Sequence, residues 1–298
     1  MCGIAGLFIK DKRLEPQLGP LLAKMTSTLG RRGPDSAGFA VYTQAESGRI
    51  KLTVQAKDRT ALAALVEAVS ERFGDDVGVT KRFTHAVLSV PVRQVVELRA
   101  WLADMPGIAV VSEGQRLEIF KEVGYPDDVA REFDLASIGG THGIAHTRMA
   151  TESAVTTDGA HPFSTGADQC LVHNGSISNH ASLRRRLQQD GIVMLTANDS
   201  EVAAGYLTRE MRDGKSLGKS LESSIDDLDG FFTFVVGTEN GFGVLRDPIA
   251  CKPAVMAETD AYVAFASEYK TLTCLPGIDQ ARVWEPRPAT VYFWEHAQ

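Results

Sequence analysis

The chain begins Met1-Cys2-Gly3 and passes at once into Ile4-Ala5-Gly6-Leu7-Phe8-Ile9, a continuous apolar run with the length of a buried strand. The run reads as a short buried strand that begins directly after Cys2. The run is short, and it lacks the basic leader and small-residue cleavage site of a signal peptide. No other stretch approaches the roughly 20 apolar residues of a membrane span. The second residue is not Gly, so the myristoylation pattern is absent. A cytoplasmic protein with no membrane partner is expected.

With 298 residues, 44% of them hydrophobic and 23% charged, the chain can bury a large core without disulfides or metals. A formal net charge of -7 and the lack of a basic stripe argue against nucleic acid as a partner. Cys2, Cys170, Cys251 and Cys274 have no C-x-x-C spacing, which excludes a zinc ribbon or dithiol motif. They read as reduced thiols, the last three as buried apolar residues.

Three stretches differ in texture. In the first, helical spacing of Leu18, Leu21, Leu22 and Met25 predicts a helix over Leu18 to Leu29, stopped by Gly30. A turn-rich loop, Arg31 to Gly38, then leads to a strand at Phe39 to Tyr42. The second stretch, about Gly48 to Asp134, predicts strands at Ile50 to Val54 and Phe83 to Val92 and helices at Ala61 to Phe73 and Val95 to Ala103. A hairpin of Ile108 to Val111 with Leu117 to Phe120 is expected around Ser112-Glu113-Gly114. This order predicts a small inserted α/β subdomain. The last stretch, from about Ile138, combines short strands with helices near Ser182 to Gln189 and Ser200 to Met211, an α+β layered pattern.

Cys2 is the first candidate for chemistry. Removal of Met1 would expose its α-amine, whose ordinary pKa of about 7.7 to 8 suits a general base near working pH. A thiol beside such an amine is an activated nucleophile within one residue. A cysteine at position 2 is uninformative by itself. Its companions are Arg32-Gly33-Pro34-Asp35-Ser36-Ala37-Gly38, His146-Thr147-Arg148-Met149-Ala150-Thr151, His161-Pro162-Phe163, His173-Asn174-Gly175, Asn198-Asp199-Ser200-Glu201, Arg246-Asp247-Pro248 with Lys252-Pro253, and Ala266-Ser267-Glu268.

In this order the motifs resemble those of class II glutamine amidotransferases, which are N-terminal-nucleophile hydrolases. The resemblance covers both ends of the chain and skips the middle stretch. It implies a four-layer αββα sandwich with an inserted α/β subdomain at about 48–134. It also implies roles. Cys2 attacks the glutamine amide, and Arg32 organises the nucleophile region. Asn174 and the Gly175 N–H form the oxyanion hole. Arg148 clamps the α-carboxylate with a guanidinium fork, Thr151 adds a second donor, and Asp199 takes the α-ammonium. The products are a Cys2 thioester and ammonia, and water then releases glutamate.

Read singly, these residues have ordinary alternatives. Asp199 could cap the helix near Ser200, Asn174-Gly175 is a turn signal, and either arginine could be an ion-pair residue. His161 and His173 read as packing or hydrogen-bonding residues, since the terminal amine fills the base role. His142 and His146 lie four apart among glycines, which does not suggest a metal site. No metal is expected. Asp226 to Gly230 lacks the pattern of a calcium loop.

The sequence departs from the family pattern at Arg31, Met149, Glu152 and Cys251, none of which removes a role. The run His146 to Val155 is similar to stand-alone amidotransferase subunits related to glutamate synthase, in particular that of N-methylglutamate synthase. This implies L-glutamine as substrate and no cofactor in this chain. It also implies a separate synthase subunit, with FMN and an iron–sulfur cluster, that receives the ammonia. An amidase for another amide and a non-catalytic regulatory subunit are the competing expectations.

Overall fold

The computed structural model describes residues 2–150 and 154–296. In chain order, β1 (Gly3–Ile9), α1 (Leu18–Thr28) and β2 (Ser36–Tyr42) come first. They are followed by β3 (Arg49–Ala56), α2 (Arg59–Phe73), β4 (Gly78–Arg82), β5 (His85–Pro91), α3 (Val95–Ala103) and β6 (Ile108–Gly114). Then come β7 (Leu117–Val123), α4 (Pro126–Glu132), β8 (His142–Arg148), β9 (Phe163–Gly166) and β10 (Gln169–Ile177). Helices α5 (His180–Gln189), α6 (Asp199–Arg212) and α7 (Leu217–Asp227) precede β11 (Gly230–Gly237) and β12 (Gly241–Arg246). The remainder is β13 (Val255–Glu258), β14 (Tyr262–Ala266), α8 (Tyr269–Leu272), β15 (Arg282–Trp284) and β16 (Thr290–Glu295).

Two antiparallel sheets form the body, one ordered β15-β13-β14-β1-β8-β2-β7 and the other β16-β12-β11-β10-β9. Side chains of β1 alternate between two cores, as the period of a strand requires. Ala5, Leu7 and Ile9 pack with Leu18, Leu22 and Met25 of α1. Ile4 and Phe8 pack with Val172, Val235 and Phe242 of the facing sheet. On the far side, Leu171, Phe232 and Phe234 join Leu183, Leu187, Val202, Leu207 and Leu221 from α5 to α7. Helices, sheet, sheet and helices are thus the four layers of an αββα sandwich. Gly6 lies between the sheets, where a Cβ would come within 2.8 Å of the Phe242 ring.

Residues 49–114 build a third sheet, ordered β4-β5-β3-β6 with all neighbours antiparallel. Its β-α-β-β-α-β order is the split βαβ, ferredoxin-like arrangement. One face carries its core, with Leu52, Val54 and Leu88 against Leu62, Leu65, Val69, Leu98 and Leu102 of α2 and α3. The other face holds Lys51, Thr53, Gln55 and His85, and these polar residues are buried as well.

Two expectations need correction here. The strand expected at Phe83 to Val92 forms as β5 but is shortened to His85–Pro91, because Phe83, at φ 49°, and Thr84 make the turn from β4, a strand the sequence pattern did not mark. The hairpin of Ile108 to Val111 with Leu117 to Phe120 does not form. β6 pairs with β3 in the third sheet, and β7 pairs with β2 in the sandwich. β7 and α4, at the end of the 48–134 stretch, therefore belong to the sandwich layers, α4 through Val129 and Ala130. Asp168 fixes the crossing from β6 to β7. Its carboxylate accepts from the backbone N–H groups of Gln115, Arg116 and Leu117 at 2.6–2.9 Å, and its own N–H donates to Glu113 O.

Among the described residues no helix is long and apolar enough to cross a membrane. Of the three cysteines expected to be buried, Cys170 is, Cys274 is partly covered, and Cys251 is exposed. Cys251 lies in the loop after β12, where no apolar layer reaches it.

Candidate active site

β1 is a central strand, flanked by β14 and β8, so its first residues are held from both sides. The Ile4 N–H donates to Ser267 Oγ at 2.9 Å, and the Ser267 N–H returns a bond to Ile4 O. Gly3 pairs with Thr147 of β8, one residue before Arg148. Cys2 therefore sits at a fixed point beside the end of β8, partly accessible.

The Cys2 carbonyl oxygen accepts two side-chain bonds, from Arg32 Nε at 3.2 Å and from Asn174 Nδ2 at 3.3 Å. Arg32 is itself held by Glu268, whose carboxylate lies 2.6 Å from its Nη1. The loop carrying Arg32 lies against β8 so closely that a Cβ on Gly33 would come within 2.3 Å of the Thr147 backbone. Asp35 completes that seam, its N–H donating to Arg148 O and its carboxylate accepting from the Ala150 N–H.

Asn174 and Gly175 lie within β10, the strand of the second sheet that faces Cys2. Gly175 has φ +153°, and a Cβ there would meet Phe231 O at 1.9 Å. Only glycine lets β11 approach this closely. Arg148 is nearly buried at the end of β8, and its Nη1 donates to Ala154 O at 3.4 Å. Asp199 is the first residue of α6, and its carboxylate accepts from the Ile177 N–H at 2.9 Å. The helix cap is its neighbour Asn198, whose side chain accepts from the Ser200 N–H, so Asp199 is not the cap. Thr151 lies outside the described residues. The structure thus joins Cys2, Arg32 and Asn174 by hydrogen bonds, places Arg148 beside Cys2 across the β1–β8 ladder, and anchors Asp199 to the end of β10.

A histidine cluster lies beneath these groups. Ser200 Oγ bridges His161 Nε2 at 2.8 Å and His173 Nδ1 at 2.9 Å. His146 stacks on His161 with ring centroids 4.0 Å apart, and its Nε2 lies 3.2 Å from His173 O. Burial disfavours the charged forms. It lowers His146 to about 3, His173 to about 4, and His161 well below the usual range. Neutral rings that hydrogen-bond Ser200 act as a spacer between β8, β10 and α6.

Buried neutral histidines have a consequence for stability. The unfolded chain takes up these protons below pH about 6.5, and the folded chain resists until far lower pH. Their contribution is therefore complete above pH 6.5 and is lost progressively as pH falls toward 4. Each histidine in full transition adds a slope of up to about 1.4 kcal/mol per pH unit. Urea unfolding midpoints should fall steadily from pH 7 to pH 5, before carboxylates titrate. A flat midpoint over that interval would mean that the cluster is not neutral in the fold.

Several residues that build the site carried no role in the sequence reading. Ser267 and Glu268 stood in a recognised motif, and only the structure ties them to Ile4 and Arg32. Ser200 stood beside Asp199 in the same way. Asp35 likewise stood in a quoted motif without a role.

An αββα sandwich whose central strand begins directly after a cysteine is the architecture of the N-terminal-nucleophile hydrolases. Within that class the chain belongs to the class II glutamine amidotransferases. The glutamine amidotransferase domain family matches residues 146–274. The chain is 60% identical to the glutamine amidotransferase-like protein GlxB of Rhizobium meliloti, over 99% of both chains. It is 34% identical to a putative glutamine amidotransferase of Methanothermobacter thermautotrophicus, covering 98% of this chain and 99% of that one. In fold it resembles the glutamine phosphoribosylpyrophosphate amidotransferase of B. subtilis, with a TM-score of 0.63 at 18% identity over 99% of this chain and 47% of that one.

Proposed function

We propose that this chain is the glutaminase subunit of a synthase of the glutamate synthase or N-methylglutamate synthase type, and that its ammonia goes to a separate polypeptide. The observation that carries the glutaminase half is the convergence of Arg32 and Asn174 on the Cys2 carbonyl. In this reading the free α-amine of Cys2 takes the thiol proton, and the thiolate attacks the glutamine amide. The Asn174 side chain and the Gly175 N–H receive the developing oxyanion. Arg148, with Thr151, holds the α-carboxylate, and Asp199 holds the α-ammonium. Arg32 holds the nucleophile's backbone in place and is itself braced by Glu268. The α-ammonium of Cys2 returns that proton to the departing nitrogen, the thioester forms as ammonia leaves, and water then returns Cys2 and releases glutamate.

A partner is supported by the surface around these groups. Met149 directly follows Arg148, Phe231 pairs with Ser176, Ile249 follows Asp247 by two residues, and Tyr269 follows Glu268; all four expose apolar area. Ammonia is protonated quickly in water, so an acceptor site must be enclosed with the source. The acceptor chemistry, with FMN and an iron–sulfur cluster, belongs to the partner in this proposal, and this chain holds no cofactor. Purification of the tagged chain from its source should bring down a larger polypeptide that raises glutamine turnover. A chain recovered alone and turning over glutamine at an ordinary enzymatic rate of about 10 per second would defeat the two-subunit reading.

A further inference from the structure

The inserted sheet buries polar side chains on the face turned toward the sandwich, and one of them reaches toward the site. After Arg148 the chain loops back to β9, and residues 154–161 of that loop are described. The loop lies on the guanidinium: Arg148 Nη1 donates to Ala154 O, and a Cβ on Gly159 would sit 3.4 Å from that same nitrogen. The far side of the loop is gripped. Gln55 of β3 donates from Nε2 to Asp158 Oδ1 at 2.8 Å. Lys121 of β7 donates to Asp158 O at 3.1 Å and to Ala160 O at 3.0 Å. Thr157 Oγ1 donates to Glu122, whose other oxygen accepts from Thr84 Oγ1, in the β4–β5 turn, at 2.9 Å. The inserted subdomain therefore holds the loop twice, directly through Gln55 and by relay through Thr84.

Gln55 is 7% exposed on a sheet face packed against the sandwich, and its bond to a carboxylate spans 103 residues of sequence. Packing needs no amide there. A buried amide is stabilising only if its partner is in place, which makes the pair sensitive to where the loop sits.

We propose that Gln55 is a positioning residue for glutamine binding. Through Asp158 it fixes the loop that lies on Arg148, so the inserted subdomain sets how tightly the substrate carboxylate is held. This rests on the reading of Arg148 as the carboxylate clamp. Gln55 touches no reacting atom, so its loss affects saturation and leaves the chemical step alone.

Alkylation of Cys2 by a diazoketone analogue of glutamine, followed by mass, separates the two on the full-length chain. In Gln55→Met the half-saturating concentration should rise about tenfold, the loss expected of a hydrogen bond to a charged group. The limiting rate should stay within about twofold, while the melting midpoint falls by a few degrees as the buried hydrogen bond is lost. Asp158→Ala should match it, which keeps the question answerable if Gln55→Met does not fold. Asp158→Asn, which still offers an oxygen to Gln55, should remain close to wild type. The double variant Gln55→Met with Asp158→Ala should be no worse than either alone. Unchanged half-saturation in both single variants overturns the proposal, as does a change confined to the limiting rate and the melting midpoint. No saturable alkylation at Cys2 of the wild-type chain, either alone or in its complex, sinks the glutaminase reading instead.

Discussion

Replacing Cys2 with alanine should lower glutamine hydrolysis by at least about 10⁴-fold, because the covalent route disappears entirely. The fold should survive. The Cys2 contacts that hold β1 in place are made by its carbonyl oxygen, which accepts from Arg32 and Asn174 and is unchanged in the variant. Ile4 keeps its bonds to Ser267. The thermal midpoint of Cys2→Ala should therefore match wild type within about 2 °C, while the thioester adduct vanishes from the intact mass. Cys2→Ser should recover only a small part of the rate, since a hydroxyl beside an amine is a weaker nucleophile than a thiol. The comparison belongs in whichever preparation turns over, the chain alone or its complex. Active protein should also have lost Met1, because an amide nitrogen at Cys2 cannot accept the proton. Hydrolysis that persists in Cys2→Ala, or full activity in chains that retain Met1, would remove the terminal nucleophile from the mechanism.

What the sequence revealed followed from local pattern. Amphipathic spacing marked α3 over Val95–Ala103, and for α2 it missed only the first two residues, because Asp58 caps that helix from outside the apolar stripe. The apolar run after Cys2 was legible as β1 because both of its faces are buried, one against α1 and one against the facing sheet. Pairing was not legible. Ile108 to Val111 and Leu117 to Phe120 look like the arms of a hairpin, with Gly114 between them. They part into different sheets because Asp168, more than fifty residues later, satisfies the three N–H groups at the crossing. No local signal marks that carboxylate. The polar residues of β3 posed a similar problem. Alternation assigns Lys51, Thr53 and Gln55 to solvent, yet the sandwich covers them and gives Lys51 and Gln55 carboxylate partners at Glu118 and Asp158.

The candidate site was legible for a different reason. The proposed chemistry calls for particular residue types, and these stand in short motifs in order: a guanidinium at 148, an amide at 174, a carboxylate at 199. What those motifs omit is the support. Glu268 braces Arg32, Ser267 clips Ile4, and Ser200 spaces two neutral histidines. Each does so across the fold, where only three-dimensional placement reveals the partner.

Gly175→Ala should be the most damaging single methyl addition near the site, and its effect can be divided into two parts. The first is conformational: at φ +153° an L side chain is strained wherever it stands. The second is steric: the new Cβ would lie 1.9 Å from Phe231 O and 2.7 Å from Phe232 Cα, both backbone atoms that cannot swing aside. To admit it, β10 and β11 must separate at the pair Gly175 and Phe232, in the middle of an eight-residue ladder. Gly191→Ala supplies the control. Gly191 also has positive φ, at +79°, and nothing lies within 4 Å of its Cβ position, so it carries strain without the clash. That control should cost about 1–2 kcal/mol. Gly175→Ala should cost about 3 kcal/mol or more, in the range reserved for broken cores and forced backbones. The same displacement carries the residue 175 N–H and the Asn174 amide away from the carbon that Cys2 attacks in the proposed mechanism. Variant that remains folded at low temperature should therefore lose about 10²-fold or more in kcat, the size of a lost oxyanion donor. Equal stability losses at 175 and 191 would mean that the ladder yields easily. If the rate also held, residue 175 would have no part in stabilising the oxyanion, and the hole would have to be sought beyond β10.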